Sequence, residues 1–301
     1  MDRYGRKVTT LRVSITKACN LKCIYCHREG SSEGGPEVTL PQFEVALKAA
    51  RSLGIDRVKL TGGEPLIRSD VVDFVRAAAS LDGIVEVSMT TNGVLLAKLA
   101  SSLADAGLKR VNVSVPSLRP ERYRFITGCD LLSEVKDGLR EAVDSGLDPI
   151  KLNVVVLRGV NEDEVQDFID FASKVPAVVQ FIELERLGRA SSKIYDELHA
   201  DLSSIEKWLE ELASKIVFRG LQNRRKYVLP NGQEVEVVRP LHGRFCMGCN
   251  RLRLTADGRI KPCLMREDNA VPVLDELAEG ALDRAVQKFR EALELREPYF
   301  A

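Results

Sequence analysis

All but one of the seven cysteines fall into two groups of three, at opposite ends of the chain. Cys19, Cys23 and Cys26 form a CxxxCxxC run, while Cys246 and Cys249 form a CxxC pair followed by Cys263. Clustered thiolates are ligands for soft metal centres, so the distribution points to two metal sites rather than a disulfide framework. Three thiolates fall one short of the four that saturate a [4Fe–4S] cluster. A cluster held by Cys19, Cys23 and Cys26 therefore keeps one iron open to an outside ligand. Structural zinc is the plainer alternative for this run, although its pairs are more typically spaced CxxC than CxxxC. At Cys246, Cys249 and Cys263 both readings stand: a second three-cysteine cluster, or zinc completed by Cys129 or His242.

Other residues add chemistry to each triad. Gly62-Gly63-Glu64-Pro65 offers close backbone approach at the glycines and a carboxylate acceptor at Glu64. After the second triad, Arg251 and Arg253 share one face of any strand they occupy. Paired guanidiniums beside a cluster suit a phosphate or a polar base; seen alone, Arg-x-Arg suits a solvated edge strand. His27, His199 and His242 are too scattered for a histidine metal site, and Cys129 reads as an ordinary thiol.

These groups need a scaffold, and the first two-thirds of the chain alternates strand and helix patterns. Short runs rich in Val, Ile and Leu predict strands at Thr10–Thr16, Arg57–Thr61, Ile84–Thr90, Arg110–Val115, Ile150–Val156 and Val178–Leu184. Helix-period stretches lie between them, at 41–53, 69–81, 95–107, 131–146 and 161–175. The expected fold is α/β: a partial, open (β/α)6 TIM-like barrel over 1–190, with chemistry at the C-terminal ends of the strands. Residues 191–301 are expected to form an extension carrying the second cluster. It contains a helix at 200–215, a hairpin over Val217–Val238 turning at Pro230–Asn231–Gly232, and a helix over Pro272–Arg296.

Composition narrows the class further. Lys+Arg and Asp+Glu are each 44, so the formal net charge is zero and bulk charge gives no support to a nucleic-acid binder. No apolar run reaches membrane-spanning length and no leader pattern opens the chain, so a cytoplasmic protein without membrane or nucleic-acid partners is expected.

CxxxCxxC after a first strand and Gly-Gly-Glu-Pro after a second resemble the radical S-adenosylmethionine family. With CxxCxRxR and the later Cys263, the pattern from about Thr10 to Cys263 is similar to the branch that cyclises GTP in molybdenum cofactor biosynthesis. The resemblance implies a [4Fe–4S] cluster on each triad, S-adenosylmethionine on the first and GTP at the second. The first cluster would pass an electron to S-adenosylmethionine, and the adenosyl radical would take hydrogen from the ribose C3′ of GTP, which then closes onto C8. Tyr25, Gly63, Glu64 and Ser114 would contact S-adenosylmethionine. Arg12, Lys59, Thr90, Lys151, Arg251 and Arg253 would contact GTP, with Arg12, Arg251 and Arg253 acting at the reacting nucleotide. Implied partners are a reducing electron donor and the downstream cyclic pyranopterin monophosphate synthase, and a homodimer is left open. The chain departs from the commoner pattern at Lys59, Gln180 and Glu185, and at Val115-Pro116. It also ends in Glu297-Pro298-Tyr299-Phe300-Ala301 rather than in two glycines. Rival readings are another twin-cluster radical enzyme acting on a peptide or cofactor precursor, and a zinc-stabilised binding or regulatory protein.

Overall fold

The computed structural model describes residues 1–31, 34–190, 193–240 and 245–297. Six strands alternate with helices through the first part: β1 (Thr10–Ser14), β2 (Arg57–Thr61), β3 (Glu86–Thr91), β4 (Arg110–Ser114), β5 (Ile150–Val156) and β6 (Ala177–Glu183). They pair in parallel in sequence order, as the alternating pattern requires. The helices among them are α1 (Leu40–Ser52), α2 (Val71–Ser80), α3 (Leu96–Asp105), α4 (Pro120–Thr127), α5 (Leu132–Asp144) and α6 (Val165–Lys174). Helix α1 shows the local logic: Thr39 and Gln42 form a reciprocal capping box, and Phe43, Ala46, Leu47 and Ala50 bury one face. Helix α4 was not anticipated, although Pro120 opens it and a left-handed Gly128 closes it.

The extension holds α7 (Lys193–Leu198), α8 (Ser203–Leu212), β7 (Lys215–Phe218), β8 (Arg225–Val228) and β9 (Glu234–Val238). It continues with β10 (Arg251–Leu254), β11 (Arg259–Lys261), β12 (Val271–Pro272), α9 (Leu274–Ala278) and α10 (Leu282–Glu294). Its strands continue the sheet at both edges: β10 lies parallel beside β1, and β9 parallel beside β6. Among the described residues the sheet order is β12-β11-β10-β1-β2-β3-β4-β5-β6-β9-β8-β7, still open at its ends. The hairpin at Pro230–Asn231–Gly232 forms between β8 and β9, with β7 added as a third strand. Two helix expectations need correction. The 200–215 helix stops at Leu212 because Lys215 enters β7, and 272–296 is split into α9 and α10 around Gly280, whose φ is +66°.

The strands alternate more than their apolar composition suggested. Leu11, Val13, Val58, Leu60, Val111, Val113, Leu152, Val179 and Phe181 belong to the hydrophobic core. Between them a row of polar residues crosses the sheet in register: Arg253 beside Arg12, Arg12 beside Lys59, Thr90 beside Asn112, Asn112 beside Lys151, and Gln180 beside Glu236. Period-two geometry places these on the face opposite the core residues. The barrel therefore has a polar interior, which is where a site must lie.

Candidate active site

That interior opens into a cavity of about 330 Å³ lined by all six clustered cysteines. Of the residues expected at the site, Arg12, Tyr25, Lys59, Gly63, Glu64, Thr90, Ser114, Arg251 and Arg253 also line it.

The first triad sits in the loop after β1 and is fastened to the loop after β2. Gly63 N donates to Thr16 O (2.8 Å), and Glu64 N donates to Ala18 O (2.8 Å). A Cβ on Gly63 would stand 2.1 Å from Ala18 O, so only glycine permits this approach. Arg189 N donates to Cys26 O (3.0 Å), and Arg189 Nη1 to Lys22 O (3.1 Å), holding the same loop from the far side. Burial and the neighbouring thiols Cys26 and Cys19 push the Cys23 thiol up to about 12. Crowded, mutually repelling thiols of this kind favour a bound cation, which ionises them outright.

Glu64 accepts from Leu66 N (3.0 Å), Thr91 Oγ1 (2.5 Å) and Asn92 N (2.6 Å), yet burial still pushes its carboxyl up to about 7. A carboxylate keeps further acceptor capacity beyond three bonds, which a cationic ligand can use.

The second triad faces the arginines of β10. Burial opposes ionisation of Cys249, but Arg296, Arg251 and Arg253 outweigh it and hold the thiol below its ordinary range. Three thiols with adjacent guanidiniums fit a cluster with a polar or anionic ligand alongside. Among the described residues no histidine joins this triad: His27 Nδ1 accepts from Glu29 N, and His199 pairs with Glu183 at 2.8 Å. His242 lies outside the described residues. Cys129 is apart from both triads, its Sγ 3.8 Å from Asn20 O.

Charge accounting separates the cations into two sets. Glu29, which the sequence did not single out, receives Arg12 Nε (2.9 Å) and Arg253 Nη1 (2.7 Å), with Thr61 Oγ1 at 3.2 Å. Burial opposes its ionisation, but Arg12 and Arg253 hold it well below the usual carboxylate range. Arg28 and Glu29 both take left-handed backbone, at φ 50° and 52°, which aims this carboxylate between the two guanidiniums. Glu236 similarly receives Lys151 (2.7 Å) and Arg219 (2.6 Å). Lys151 is the one expected site residue that does not line the cavity, because this ion pair occupies its ammonium; burial lowers it to about 8.

Among the described residues, the side chains of Arg251, Arg224 and Lys59 at the cavity hydrogen-bond to no carboxylate, although Glu236 attracts Arg224 from a distance. Lys59 Nζ donates to Asn112 Oδ1 (2.6 Å), and burial then Arg110 and Arg12 push it well below its ordinary value. Arg224 bonds Gln222 and lies over the Phe245 ring at 5.7 Å, its Nε buried without a partner. The Arg251 side chain makes no hydrogen bond or salt bridge among the described residues, although the Cys249 thiol attracts it; burial together with Arg224 and Arg12 lowers it well below its usual value. Thr90 Oγ1 is likewise buried and unsatisfied. Buried cations bonded to no carboxylate and an orphaned hydroxyl are unfavourable in an isolated protein, and an anionic, hydrogen-bonding ligand relieves both. Arg224 escaped the sequence reading because Gln222-Asn223-Arg224-Arg225-Lys226 looks like a solvated charged run. Residues 298–301 of the terminal segment are outside those described.

A cysteine triad beyond the first strand of a parallel sheet, zippered to a Gly-Gly-Glu loop beyond the second, defines a radical S-adenosylmethionine protein. Residues 13–172 match the radical SAM superfamily, and residues 177–301 match the family described as Molybdenum Cofactor Synthesis C. The chain belongs to the radical SAM superfamily, and within it to the family of proteins named "Probable GTP 3',8-cyclase". The relative of that name from Methanothermobacter thermautotrophicus is 46% identical over 99% of this chain and 98% of its own length. The one from Pyrococcus abyssi is 45% identical over 100% and 99%. The fold is shared with Streptococcus suis SuiB bound to S-adenosylmethionine, at a TM-score of 0.67 and 14% identity, covering 89% of this chain and 64% of that one. It is also shared with anSMEcpe with bound AdoMet and a Cp18Cys peptide, at a TM-score of 0.63 and 16% identity, covering 95% and 81%. No helix among the described residues is long and apolar enough to cross a membrane.

Proposed function

We propose that this chain is a GTP 3′,8-cyclase, a radical lyase that converts GTP to 3′,8-cyclo-7,8-dihydro-GTP at the outset of molybdenum cofactor biosynthesis. The observation that carries the reading is the shared cavity: two cysteine triads and the Arg251 guanidinium face one space. Cys19, Cys23 and Cys26 hold one [4Fe–4S] cluster, and Cys246, Cys249 and Cys263 hold the other. When bound, S-adenosylmethionine at the first cluster supplies the one-electron chemistry that removes hydrogen from C3′ of GTP. The protein's task is to fix C3′ and C8 of one nucleotide in near-attack geometry and to exclude other hydrogen donors. Residues 1–190 supply the S-adenosylmethionine side, through Tyr25, Gly63, Glu64 and Ser114. Residues 191–301 bring Arg251, Arg253 and Arg224 to the nucleotide, opposite Arg12, Lys59 and Thr90. Lys151 acts at one remove, by neutralising Glu236. The product is an isomer of GTP; an external one-electron donor and a proton complete the cyclised nucleotide. The enzyme that consumes it would be cyclic pyranopterin monophosphate synthase.

Anaerobic reconstitution tests the reading. About eight irons per chain are expected, four for each cluster, together with 5′-deoxyadenosine release that accelerates when GTP is added. Stoichiometric zinc without iron, or release indifferent to GTP, would sink it.

Glu64 gives a pH signature. Its folded pKa of about 7 lies above the ordinary carboxylate value, so the contribution of this one group to the ligand-free fold is fully present below about pH 4 and is lost as pH rises through about 7. The ammonium of S-adenosylmethionine favours ionised Glu64. Affinity for it should therefore rise by up to about tenfold per pH unit below 7, then level off. Titrations of the reconstituted protein check this, and Glu64→Gln should flatten the profile.

A further inference from the structure

Both ends of the chain converge on the second cysteine loop. Asp2 Oδ2 receives Arg6 Nε and Arg296 Nη1, each at 2.7 Å, while Asp2 Oδ1 receives Arg6 N (2.9 Å). Each arginine then spends a remaining donor on a cysteine carbonyl. Arg6 Nη1 reaches Cys246 O at 2.8 Å, and Arg296 Nη2 reaches Cys249 O at 2.7 Å. Those are the two cysteines of the CxxC pair, whose own turn is closed by Cys249 N on Cys246 O (3.1 Å). A second donor of Arg6, Nη2, bonds Glu297 O (2.9 Å), tying the terminal segment to the same point.

The three groups are deeply buried, with Arg296 only 2% exposed. A simple tie between chain ends needs one ion pair and no contact with cysteine main chain. Here two guanidiniums share one carboxylate, so the cluster of three carries a net positive charge, and both arginines line the cavity. Burying an uncompensated charge is unfavourable unless something negative faces it. A thiolate-ligated cluster is such a partner, because it carries net negative charge and its potential responds to nearby charge and hydrogen bonds.

We propose that Asp2, Arg6 and Arg296 are positioning residues of the second cysteine site. They fix Cys246 and Cys249 through their carbonyls and set the charge beside the cluster bound there. The inference rests on the twin-cluster reading of the chain, and it adds that the chain's two ends tune the second cluster.

The test uses the full chain in a Cys19→Ala, Cys23→Ala, Cys26→Ala background, so that iron and redox signals report the second site alone. Reconstituted Arg6→Gln, Asp2→Asn and Arg6→Lys variants are compared by iron content, midpoint potential and thermal unfolding. Arg6→Gln removes positive charge and should shift the potential negative. Asp2→Asn removes negative charge and should shift it positive. Arg6→Lys keeps the charge and should stay near the parent potential, while losing the fork that grips Cys246 O and retaining at most half the parent iron. Opposite shifts on an intact fold cannot come from loosened packing alone. Should Arg6→Gln fail to fold, the Asp2→Asn shift decides. Unmoved potentials, or shifts of the same sign in both variants, would overturn the proposal. Absence of iron from the parent background would instead refute the twin-cluster reading.

Discussion

Alanine at Cys19, Cys23 or Cys26 is expected to abolish 5′-deoxyadenosine formation and to halve the iron, from about eight to about four per chain. Two thiolates cannot retain a cluster that already lacks its fourth protein ligand. Gly63 packs against Ala18 O, and Arg189 fastens Cys26 O and Lys22 O; all of these are backbone contacts that bring no new donor. Alanine at Cys246, Cys249 or Cys263 should also halve the iron, but with a different kinetic consequence. S-adenosylmethionine cleavage should persist at a basal rate and lose its acceleration by GTP. Cys129→Ala is the control: that thiol donates to Asn20 O and does not line the cavity, and iron content and turnover should stay at parent values. Iron assays and quantified 5′-deoxyadenosine distinguish the three patterns.

The second large effect is at Arg251. Its side chain bonds no acceptor among the described residues, so its removal strands none there, although it takes one of three cations from the Cys249 thiol. Arg251→Ala should therefore leave the thermal midpoint unchanged or raised, as relief of a buried, repelled charge allows. What it removes is a charge-assisted bond to the nucleotide, worth about 1.5–3 kcal/mol, or about 10- to 150-fold in kcat/KM for GTP. Arg253→Ala differs in kind. It takes one of two guanidiniums from Glu29, leaving Arg12 in place, so a loss of stability should accompany the loss of GTP use. Loss of the second cluster in Arg251→Ala would contradict a role at the ligand.

The chemistry was more legible in the sequence than the geometry that serves it. Cysteines at fixed spacing, Gly63 and Arg251-x-Arg253 announce themselves because few other reasons put those residue types together. Arg12, Lys59 and Lys151 entered only through the family resemblance. The counter-ions of Arg12 and Lys151 were not legible: Glu29 and Glu236 are acidic residues among 44, and only folded registers bring them to Arg12, Arg253 and Lys151. Lys151 shows the same limit, since its pairing with Glu236 could not be read from the sequence. The six-strand frame followed from local periodicity. The edge positions of β9 and β10 did not, because parallel pairing between distant segments leaves no local pattern. The meeting of Asp2 with Arg296 across the whole chain is the extreme case.

The most direct measurement is the identity of the product. Reconstituted protein is incubated anaerobically with S-adenosylmethionine, a strong reductant and GTP, with ATP in a parallel reaction. The account predicts 5′-deoxyadenosine and, from GTP alone, an isomer of the nucleotide carrying a new C3′–C8 bond. Unaltered GTP beside accumulating 5′-deoxyadenosine, or equal conversion of ATP, would contradict it.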